Sequence, residues 1–384
     1  MNPQELQADE ARRCQEFPVV KDQIYLAHAG VCPLPRRVAQ AIQSYAWSCT
    51  QGDQETLVPF SQMGKTRGLA AQLLSATPED IAFIGPTSVA LSLVAAGLPW
   101  KPGDNVVIHY DDYPSNVYPW MTLTQKGVEV RFLQPRVPGC IEINDVLCRL
   151  DSRTRLVSLA SSHFVTGYCP DIQAIGRALR QSDVWFCVDA IQTLGIRPLD
   201  AACVDFLAAD AHKWLLGPGA AGVLYVRKAM QETLRPALVG WHNIDCPEFI
   251  AQESIRFKPD ARRYEPGSAN LLGLVGLHAA LELILEVGIE PISCELLRIR
   301  EWLIPRLRDR QWQVLASDAS PARSGGIISF RREGCDMAAL HRRLEKRRVY
   351  TSLRQDRQGR QYLRLSPHFY NTLGELEEFL SALD

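Results

Sequence analysis

Seven short apolar runs recur between residues 81 and 227, and they constrain the fold more than any other feature. Several are apolar almost throughout, which is typical of strands that are covered on both faces. Their sequences are IAFIG, NVVIHY, VEVRFL, RLVSLAS, VWFCVDA, FLAADA and GVLYVR. Helix-like segments separate most of them, and strands that alternate with helices form doubly wound sheets. The sequence therefore predicts an α/β domain with a mainly parallel seven-stranded sheet, in which GVLYVR, joined by a loop alone, runs antiparallel.

The pattern changes after about residue 255. Helices are predicted at 271–287 and 293–310, and the short strand-like runs GGIISFR, VYTSLR and YLRLSP follow them. Further helices are predicted at 336–347 and 374–383. This mixture indicates a smaller α+β domain. We expect residues 20–255 to form the large α/β domain, and residues 1–19 and 256–384 to form the small one.

Charge and hydropathy argue against two classes of partner. The 384 residues carry a formal net charge of −1, so the chain as a whole does not attract nucleic acid or anionic membrane. The basic run HRRLEKRRV, residues 341–349, is interpreted as the solvated face of an amphipathic helix. The most apolar long run, residues 271–288, is interrupted by His278, Glu282 and Glu286, which favours a packed helix over a membrane span.

The cysteines indicate a compartment rather than a site. There are 11 of them, and no two have the C-x-x-C spacing. No histidine lies three to five residues from another, so we expect no metal site. Free thiols in a reducing cytoplasm explain this usage. The polar start MNPQELQADEARR has no apolar core, so we expect no secretory signal.

The stretch ADAHKWLLGPGAAGVLYVR, residues 209–227, allows two interpretations. Gly217, Gly219 and Gly222 spell the G-x-G-x-x-G pattern of a dinucleotide site. That pattern must follow a strand and open a helix, whereas these glycines precede a strand. We therefore interpret them as a tight loop. Lys213, at the end of a small-residue strand, is instead a candidate amine for a carbonyl cofactor.

Chemically distinctive residues follow the carboxyl ends of the predicted strands, where open α/β sheets bind ligands. Thr87 and Ser88 follow IAFIG at a helix start, which is suited to phosphate. Tyr113 follows NVVIHY, Asp189 ends VWFCVDA, and Lys213 follows FLAADA. Pyridoxal phosphate needs such a set: an amine, a carboxylate for the pyridine nitrogen, an aromatic face and a phosphate cradle.

With these residues the chain resembles the class V aminotransferase family of fold-type I pyridoxal-phosphate enzymes. That group contains cysteine desulfurases and enzymes that resemble kynureninase and isopenicillin epimerase. The resemblance covers nearly the whole chain and rests on six segments taken in order. They are YLAHAGVCPLP, DDYPSNVYPW, VDAIQTLG, ADAHKWLLGPGAAGVLYVR, RYEPGSAN and LRLSPHFYNT. It implies a fold-type I transferase fold and pyridoxal 5'-phosphate as cofactor.

The resemblance also implies roles for individual residues. Lys213 matches the Schiff-base lysine, and Asp189 matches the partner of the pyridine nitrogen. Other positions match residues that contact the cofactor: Tyr113 for ring stacking, Gln192 for the phenolic oxygen, and Thr87, Ser88 and His212 for the phosphate. Ser268 resembles a hydroxyl residue that a partner subunit lends to the phosphate, which implies a homodimer with shared sites. Arg364 matches the arginine that binds the substrate carboxylate, and His28 and Trp241 are further candidates for the substrate pocket.

Two departures from the family pattern matter. Asp210 stands where many relatives have a phosphate-binding hydroxyl, and since a carboxylate repels phosphate, we expect it to point elsewhere. The desulfurases carry a nucleophilic cysteine shortly before the carboxylate-binding arginine, whereas VYTSLRQDRQGRQYLRLS contains none. A desulfurase that forms a persulfide is therefore disfavoured.

The resemblance leaves several reactions open, and elimination, transamination and epimerisation among them begin when Lys213 takes the proton from Cα of an amino acid. Loss of a β-leaving group, as in a lyase acting on a sulfur- or selenium-bearing amino acid, is favoured. Transamination, epimerisation and decarboxylation are the alternatives. A non-catalytic protein that keeps the fold is disfavoured, because Lys213 and Asp189 are both present.

Overall fold

A computed structural model describes residues 1–58 and 60–383 of the protein. The α-helices, α1 to α12 in chain order, are Pro3–Ala8, Glu10–Glu16, Arg36–Ser48, Phe60–Leu73, Thr87–Gly97, Tyr118–Met121, Ile143–Leu147, Ile172–Gln181, Leu271–Val287, Ile289–Asp309, Met337–Lys346 and Leu373–Leu383. The strands, β1 to β13, are Ile24–Tyr25, Ile81–Phe83, Asn105–His109, Glu129–Leu133, Thr154–Ala160, Trp185–Asp189, Phe206–Ala209, Val223–Val226, Gln313–Val314, Ile328–Arg331, Val349–Tyr350, Ser352–Gln355 and Gln361–Leu365.

The seven apolar runs form one sheet in the order β2-β8-β7-β6-β5-β3-β4. The strands from β7 to β4 are parallel to their neighbours, and β8 is antiparallel to both β7 and β2. The predicted α/β class and the predicted antiparallel last strand are confirmed. Because β2 runs in the same direction as the parallel strands, the carboxyl ends of β2, β3, β5, β6 and β7 all lie at one edge.

Both faces of this sheet are buried, which explains why its strands are apolar without alternation. Val106 and Ile108 of β3 pack into one core cluster, whereas Val107 packs into another on the opposite face. Val188 and Cys187 of β6 divide between the clusters in the same way. Successive residues of a strand point to opposite faces, so two covered faces require two apolar sets.

The second domain is built around the four-stranded antiparallel sheet β12-β13-β10-β9. Strand β1 pairs with β11, and Ala27 bridges to Ser366, so the chain near residue 25 lies with this smaller domain. Helix α9 packs against α3 and α4 and so lies with the large one. Strand pairing and helix packing therefore join segments that are distant in sequence, and the boundaries at residues 20 and 255 stay a prediction.

The predicted helices are present with small shifts at their ends. Helix α10 begins at Ile289, four residues before its predicted start. Residues 115–127, expected to be one helix, form a single short α-helix between two 3₁₀ turns. In α11, Leu340 and Leu344 are buried while the basic residues face outward, which confirms the interpretation of residues 341–349.

The apolar helix α9 is covered by protein along most of its length. By length and hydropathy, no single helix of the described residues could cross a membrane. Only α9 and α10 together pass that test, and they meet at a bend of 74°.

A buried ion pair joins α4 to the segment that precedes α9. Arg67 donates to both carboxylate oxygens of Glu265, at 2.5 and 2.6 Å, and both side chains are almost fully buried. Glu265 also accepts the backbone N–H of Phe83, and Arg67 donates to the carbonyl of Ile81. The pair therefore connects the edge strand β2 with both segments.

We predict that Glu265→Ala lowers the free energy of unfolding by about 3–5 kcal/mol, because it leaves Arg67 buried and uncompensated. The double variant Arg67→Met/Glu265→Leu should lose less, because it removes both charges and fills a similar volume. Urea unfolding followed by circular dichroism measures both. Equal losses in the single and double variants would contradict this account.

Candidate active site

Lys213 lies just beyond β7, at the edge where the parallel strands end. Its side chain is buried, and its Nζ lies 5.4 Å from the centre of the Tyr113 ring. The pKa of Lys213 is lowered to about 8, mainly by burial; the charge of Asp189 opposes this shift, and the charges of Arg364 and Arg354 contribute to it. A lysine with such a pKa is partly uncharged near neutral pH, as a nucleophile or base must be.

Asp189 is the last residue of β6 and is also buried. Its Oδ1 accepts the N–H of Ile191 at 3.0 Å, which is the one hydrogen bond to this carboxylate among the described residues. Burial raises the pKa of Asp189 to about 6, against the N–H of Ile191 and the charge of Lys213. Its second oxygen is left to receive a proton donor from a ligand.

Asp210 does not belong to the phosphate cradle, which confirms the expectation that it points elsewhere. Its Oδ1 accepts the N–H groups of Ala211 and Ala221, and its Oδ2 accepts that of Ala220 and Nδ1–H of His212. Burial raises the pKa of Asp210, but the hydrogen bonds from His212 and the backbone outweigh it and leave the pKa below its usual value. The carboxylate thus holds the two ends of the loop around Lys213 together.

Gly217 and Gly222 of this loop leave no room for a side chain, which agrees with the interpretation as a tight loop, whereas a Cβ on Gly219 would meet only Cβ of His212 at 4.0 Å. A Cβ on Gly217 would lie 2.7 Å from Cβ of Ala211. A Cβ on Gly222 would lie 2.6 Å from the carbonyl oxygen of Ile84. The loop leads directly into β8, so its glycines do not open a helix.

Thr87 and Ser88 begin α5, next to Asp210. Oγ1 of Thr87 accepts the N–H of Asp210 at 2.9 Å, and Oγ of Ser88 is 2.7 Å from Oγ of Ser115. Within the described residues, the N–H groups of Thr87 and Ser88 donate to no acceptor. Free N–H groups at the start of an 11-residue helix form a natural anion site. Nε2 of His212 has no hydrogen-bond partner among the described residues, and its contact with a phosphate stays a prediction.

Tyr113 is held over Lys213 by its neighbour Asp112. Oδ1 of Asp112 accepts the N–H of Tyr113 at 2.7 Å, and its other oxygen accepts Asn116 Nδ2 and the N–H of Ala160. Tyr113 is 45% exposed and meets Phe164 edge to face. One face of its ring therefore remains open toward Lys213.

Gln192 is anchored through both ends of its amide. Its Oε1 accepts Nε1–H of Trp214 at 2.9 Å, and its Nε2 donates to the carbonyl of Ala29 at 3.2 Å. An amide nitrogen carries two hydrogens, so one is left for a ligand. The contact with a phenolic oxygen stays a prediction.

His28 lies in the wall behind Gln192. It is fully buried, and its ring nitrogens are bound to the carbonyl of Ser366 and to the hydroxyl of Tyr370. Burial lowers the pKa of His28 to about 4, so the ring is neutral. Both ring nitrogens are thus occupied within the chain, and a contact of His28 with the substrate stays a prediction.

Arg364 lies on β13 with only 1% of its surface exposed. It donates to the carbonyl of Phe164 at 2.7 Å and to Oγ of Ser352 at 3.4 Å, while its buried Nε has no partner. Burial lowers the pKa of Arg364 to about 9, and the charge of Arg354 adds to this shift. A buried guanidinium with an unused donor is well suited to a ligand carboxylate.

Two predicted residues lie elsewhere on this chain. Ser268 is exposed and donates to Glu55, and no contact among the described residues joins it to Lys213. Trp241 is 39% exposed and packs edge to face on His242 and Phe249. Within one chain, no described contact joins Trp241 to the other candidate residues, so its role in the substrate pocket stays a prediction. The contribution of Ser268 to the site of a partner subunit also stays a prediction.

The sequence reasoning missed Asp112 and Arg354. Asp112 follows an apolar strand and Asp189 ends one. A carboxylate at the end of an apolar strand was therefore the sequence feature that could have identified Asp112 as well. Arg354 stands ten residues before Arg364 on the neighbouring strand, and strand pairing alone brings them together.

The residues at this edge fit pyridoxal phosphate. The open oxygen of Asp189 suits a protonated pyridine nitrogen, the free N–H groups at the start of α5 suit a phosphate, and the face of Tyr113 suits the ring. Lys213, with a lowered pKa, is the amine that would bind the aldehyde. The carboxylate of Asp210 would repel a phosphate, but both of its oxygens are hydrogen-bonded within the loop. Asp210 therefore does not argue against the cofactor.

Comparisons with known proteins agree with this geometry. A probable cysteine desulfurase from Methanothermobacter thermautotrophicus is 27% identical over 332 residues, which cover 85% of this chain and 81% of that protein. The apo structure of a cysteine desulfurase from Thermococcus onnurineus NA1 matches with a TM-score of 0.87 at 23% identity, covering 100% of this chain and 97% of that one. A complex of the cystine C–S lyase C-DES with cysteine persulfide matches with a TM-score of 0.86 at 22% identity, covering 96% and 98%.

The two structural likenesses establish the fold, and a family model establishes the family. The model described as Aminotransferase class-V matches residues 24–379, almost the whole chain. Its span includes Lys213, Asp189 and Arg364. The chain therefore belongs to the class-V aminotransferase family of pyridoxal-phosphate-dependent enzymes.

Proposed function

We propose that the chain is a C–S lyase that removes a β-leaving group from an amino acid without a cysteine nucleophile. The observation that carries the proposal is a complete base and carboxylate site, Lys213 with Asp189 and Arg364, beside a hairpin that has no thiol. The last cysteine of the chain, Cys335, precedes α11 and packs against the core. Without a thiol to take sulfur, direct release of the leaving group is the simpler outcome.

The thiol of Cys32, beside the loop around Lys213, does not serve as a nucleophile. Cys32 contacts the carbonyl of Gly217 in the loop around Lys213. Burial raises the pKa of Cys32 to about 12, and the charge of Asp210 adds to the shift. Since the thiolate is the reactive form, Cys32 is inert at neutral pH.

The comparisons support chemistry at carbon–sulfur bonds. Several relatives are named as cysteine desulfurases or probable cysteine desulfurases, and the neighbour C-DES is titled a cystine C–S lyase. Both names describe cleavage of a bond between carbon and sulfur. The names of the relatives thus support cleavage of a carbon–sulfur bond. The lack of a cysteine in the hairpin supports direct release of the leaving group.

The residues divide the reaction between them. When bound, pyridoxal phosphate supplies an electron-poor ring that stabilises negative charge at the substrate's Cα. Arg364 binds the substrate carboxylate through its free donor, and this contact orients the Cα–H bond. Lys213 accepts the Cα proton at Nζ, and its lowered pKa makes the neutral amine available. Asp189 holds a proton on the pyridine nitrogen through its open oxygen.

The overall reaction balances without an oxidant or reductant. A substrate R–S–CH₂–CH(NH₃⁺)–COO⁻ and one water give pyruvate, ammonium and R–SH. The Cα–H and Cβ–S bonds break, and the sulfur leaves with the electron pair of its bond and takes up a proton. The carbon skeleton is then hydrolysed to pyruvate.

Products test the reaction directly. We predict that the holoenzyme releases pyruvate and a thiol or sulfide in equal amounts from a sulfur-bearing amino acid, with no keto acid added. Lactate dehydrogenase coupling and a thiol reagent measure the two products. The variant Lys213→Ala should lose about 10²–10⁴ of the rate, because it lacks the general base. Turnover that requires an added keto acid would show the enzyme to be an aminotransferase instead.

The lowered pKa of Lys213 predicts the pH dependence of cofactor capture. Condensation with an aldehyde needs the neutral amine, whose fraction rises with pH through the pKa. Capture of pyridoxal phosphate by the apoprotein should therefore rise with pH and level off above about pH 8, whereas an ordinary lysine levels off above ~10.4. Absorbance after stopped-flow mixing measures the rate. Lys213→Ala is the control, and a rate that still climbs above pH 10 would rule out the lowered pKa.

We also propose a homodimer with shared sites in a reducing compartment such as the cytoplasm. Six apolar side chains between residues 238 and 255 are at least 39% exposed: Leu238, Val239, Trp241, Phe249, Ile250 and Ile255. An exposed apolar group of this size is typical of an interaction surface. All 11 cysteines are free thiols, which supports the compartment.

Sedimentation equilibrium tests the dimer. We expect twice the chain mass for the wild type, and a shift toward the monomer for Phe249→Glu/Ile250→Glu, because charge at an apolar interface is costly. Arg342→Gln, on the exposed face of α11, is the control. A wild type that remains monomeric at micromolar concentration would refute shared sites.

A further inference from the structure

The hairpin of β12 and β13 carries a second arginine toward the active site. The two strands are antiparallel, with Ser352 opposite Arg364 and Arg354 opposite Tyr362. Opposite residues share a face of the sheet, and so do alternate residues of one strand. Arg354 therefore lies on the same face as Arg364, as its diagonal neighbour, and Arg364 is the side chain that reaches Phe164 beside the site.

The charge of Arg354 reaches the groups of the active site. It lowers the pKa of Lys213 and of Arg364, after the larger effect of burial on each. Burial lowers the pKa of Arg354 itself, and the ionisable hydroxyl of Tyr113 opposes that shift. These directions agree with the position of Arg354 beside Arg364 on one face of the hairpin.

No carboxylate compensates this charge. Through the described part of the chain, no carboxylate oxygen lies within 4.0 Å of Arg354 or Arg364. The hydrogen bond of Arg354 goes to the carbonyl of its own neighbour Leu353. Other arginines of the same hairpin are paired: Arg357 with Asp111, and Arg360 with Asp356. Arg357 and Arg360 of the hairpin are thus paired with carboxylates, whereas Arg354 and Arg364 are not paired with a carboxylate of the described residues.

Two guanidinium groups on one face repel each other, and a single substrate carboxylate compensates only one of them. A second anionic group on the same ligand would compensate the other. The planar fork of arginine matches oxyanions such as carboxylate, sulfinate and sulfonate, and binds them by charge-assisted hydrogen bonds. An amino acid carries such a group only on its side chain.

We propose that Arg354 binds an anionic group on the substrate's side chain, so that the substrate class is amino acids with an acidic β-substituent. The claim that this substituent is the leaving group rests on the proposed lyase function. The binding of a second anion by Arg354 does not depend on the reaction that follows. Arg364 then sets the position of the α-carboxylate, and Arg354 selects the side chain.

Matched acids test the binding. Succinate and butyrate differ by one carboxylate in place of a methyl group, and both can be titrated into the holoenzyme while the cofactor spectrum or the heat of binding is followed. We expect succinate to bind the wild type about 10- to 100-fold more tightly, the range of one hydrogen bond between charged groups. Arg354→Gln should remove this preference, and Arg354→Lys should restore part of it. Arg364→Gln should weaken both acids.

Arg342→Gln is the matched control, an exposed arginine replaced by the same residue, and should leave both affinities unchanged. The proposal is overturned if succinate binds the wild type no better than butyrate, or if its advantage survives in Arg354→Gln. The wild-type comparison decides the matter even if the variant does not fold.

Turnover separates this proposal from the proposed function. S-sulfocysteine has an anionic β-substituent, and S-methylcysteine has a neutral one. Preference for S-sulfocysteine that depends on Arg354, with pyruvate as product, supports both proposals. Binding that depends on Arg354 without pyruvate release refutes the lyase and keeps the substrate class. Equal release of pyruvate from the two substrates in wild type and Arg354→Gln refutes the substrate class and keeps the lyase.

Discussion

The burial of one amine, Lys213, is the constraint on which the rest of the site depends. A lysine taken out of water loses hydration, and its pKa falls to about 8. Asp189 is buried beside it and its own pKa rises to about 6, so each group limits the shift of the other. Because each charge partly compensates the other, both groups can be buried. Their shifted pKa values also lie close to neutral pH, where both protonation states are accessible.

A second carboxylate, that of Asp210, holds the loop around Lys213 in place and takes no part in the proposed reaction. Asp210 gathers three backbone N–H groups and His212 onto its two oxygens. This arrangement closes a loop in which Gly217 and Gly222 leave no room for side chains. The carboxylate of Asp210 is therefore occupied by the loop, and the phosphate site at the start of α5 stays a prediction.

The candidate site residues come from two sheets. The edge of the seven-stranded sheet carries Asp189, the start of α5 and, just beyond β7, Lys213, which are the groups proposed to hold the cofactor. The hairpin β12–β13 of the four-stranded sheet carries Arg354 and Arg364, which are the groups proposed to bind the substrate. Under this proposal, a change in the hairpin alters substrate preference and leaves the cofactor site as it is.

The sequence by itself determined the class of the fold and grouped the candidate cofactor residues. Apolar strands without alternation indicate a doubly wound sheet, and parallel strands end at one edge, so Thr87, Tyr113, Asp189 and Lys213 could be grouped without coordinates. Only the tertiary structure decided which backbone groups bind the carboxylate of Asp210, which partners bind His28, that Arg354 lies beside Arg364, and where β1 and α9 pack. Those depend on which backbone groups a side chain meets and on the register of paired strands, and contacts between distant segments leave no local pattern in the sequence.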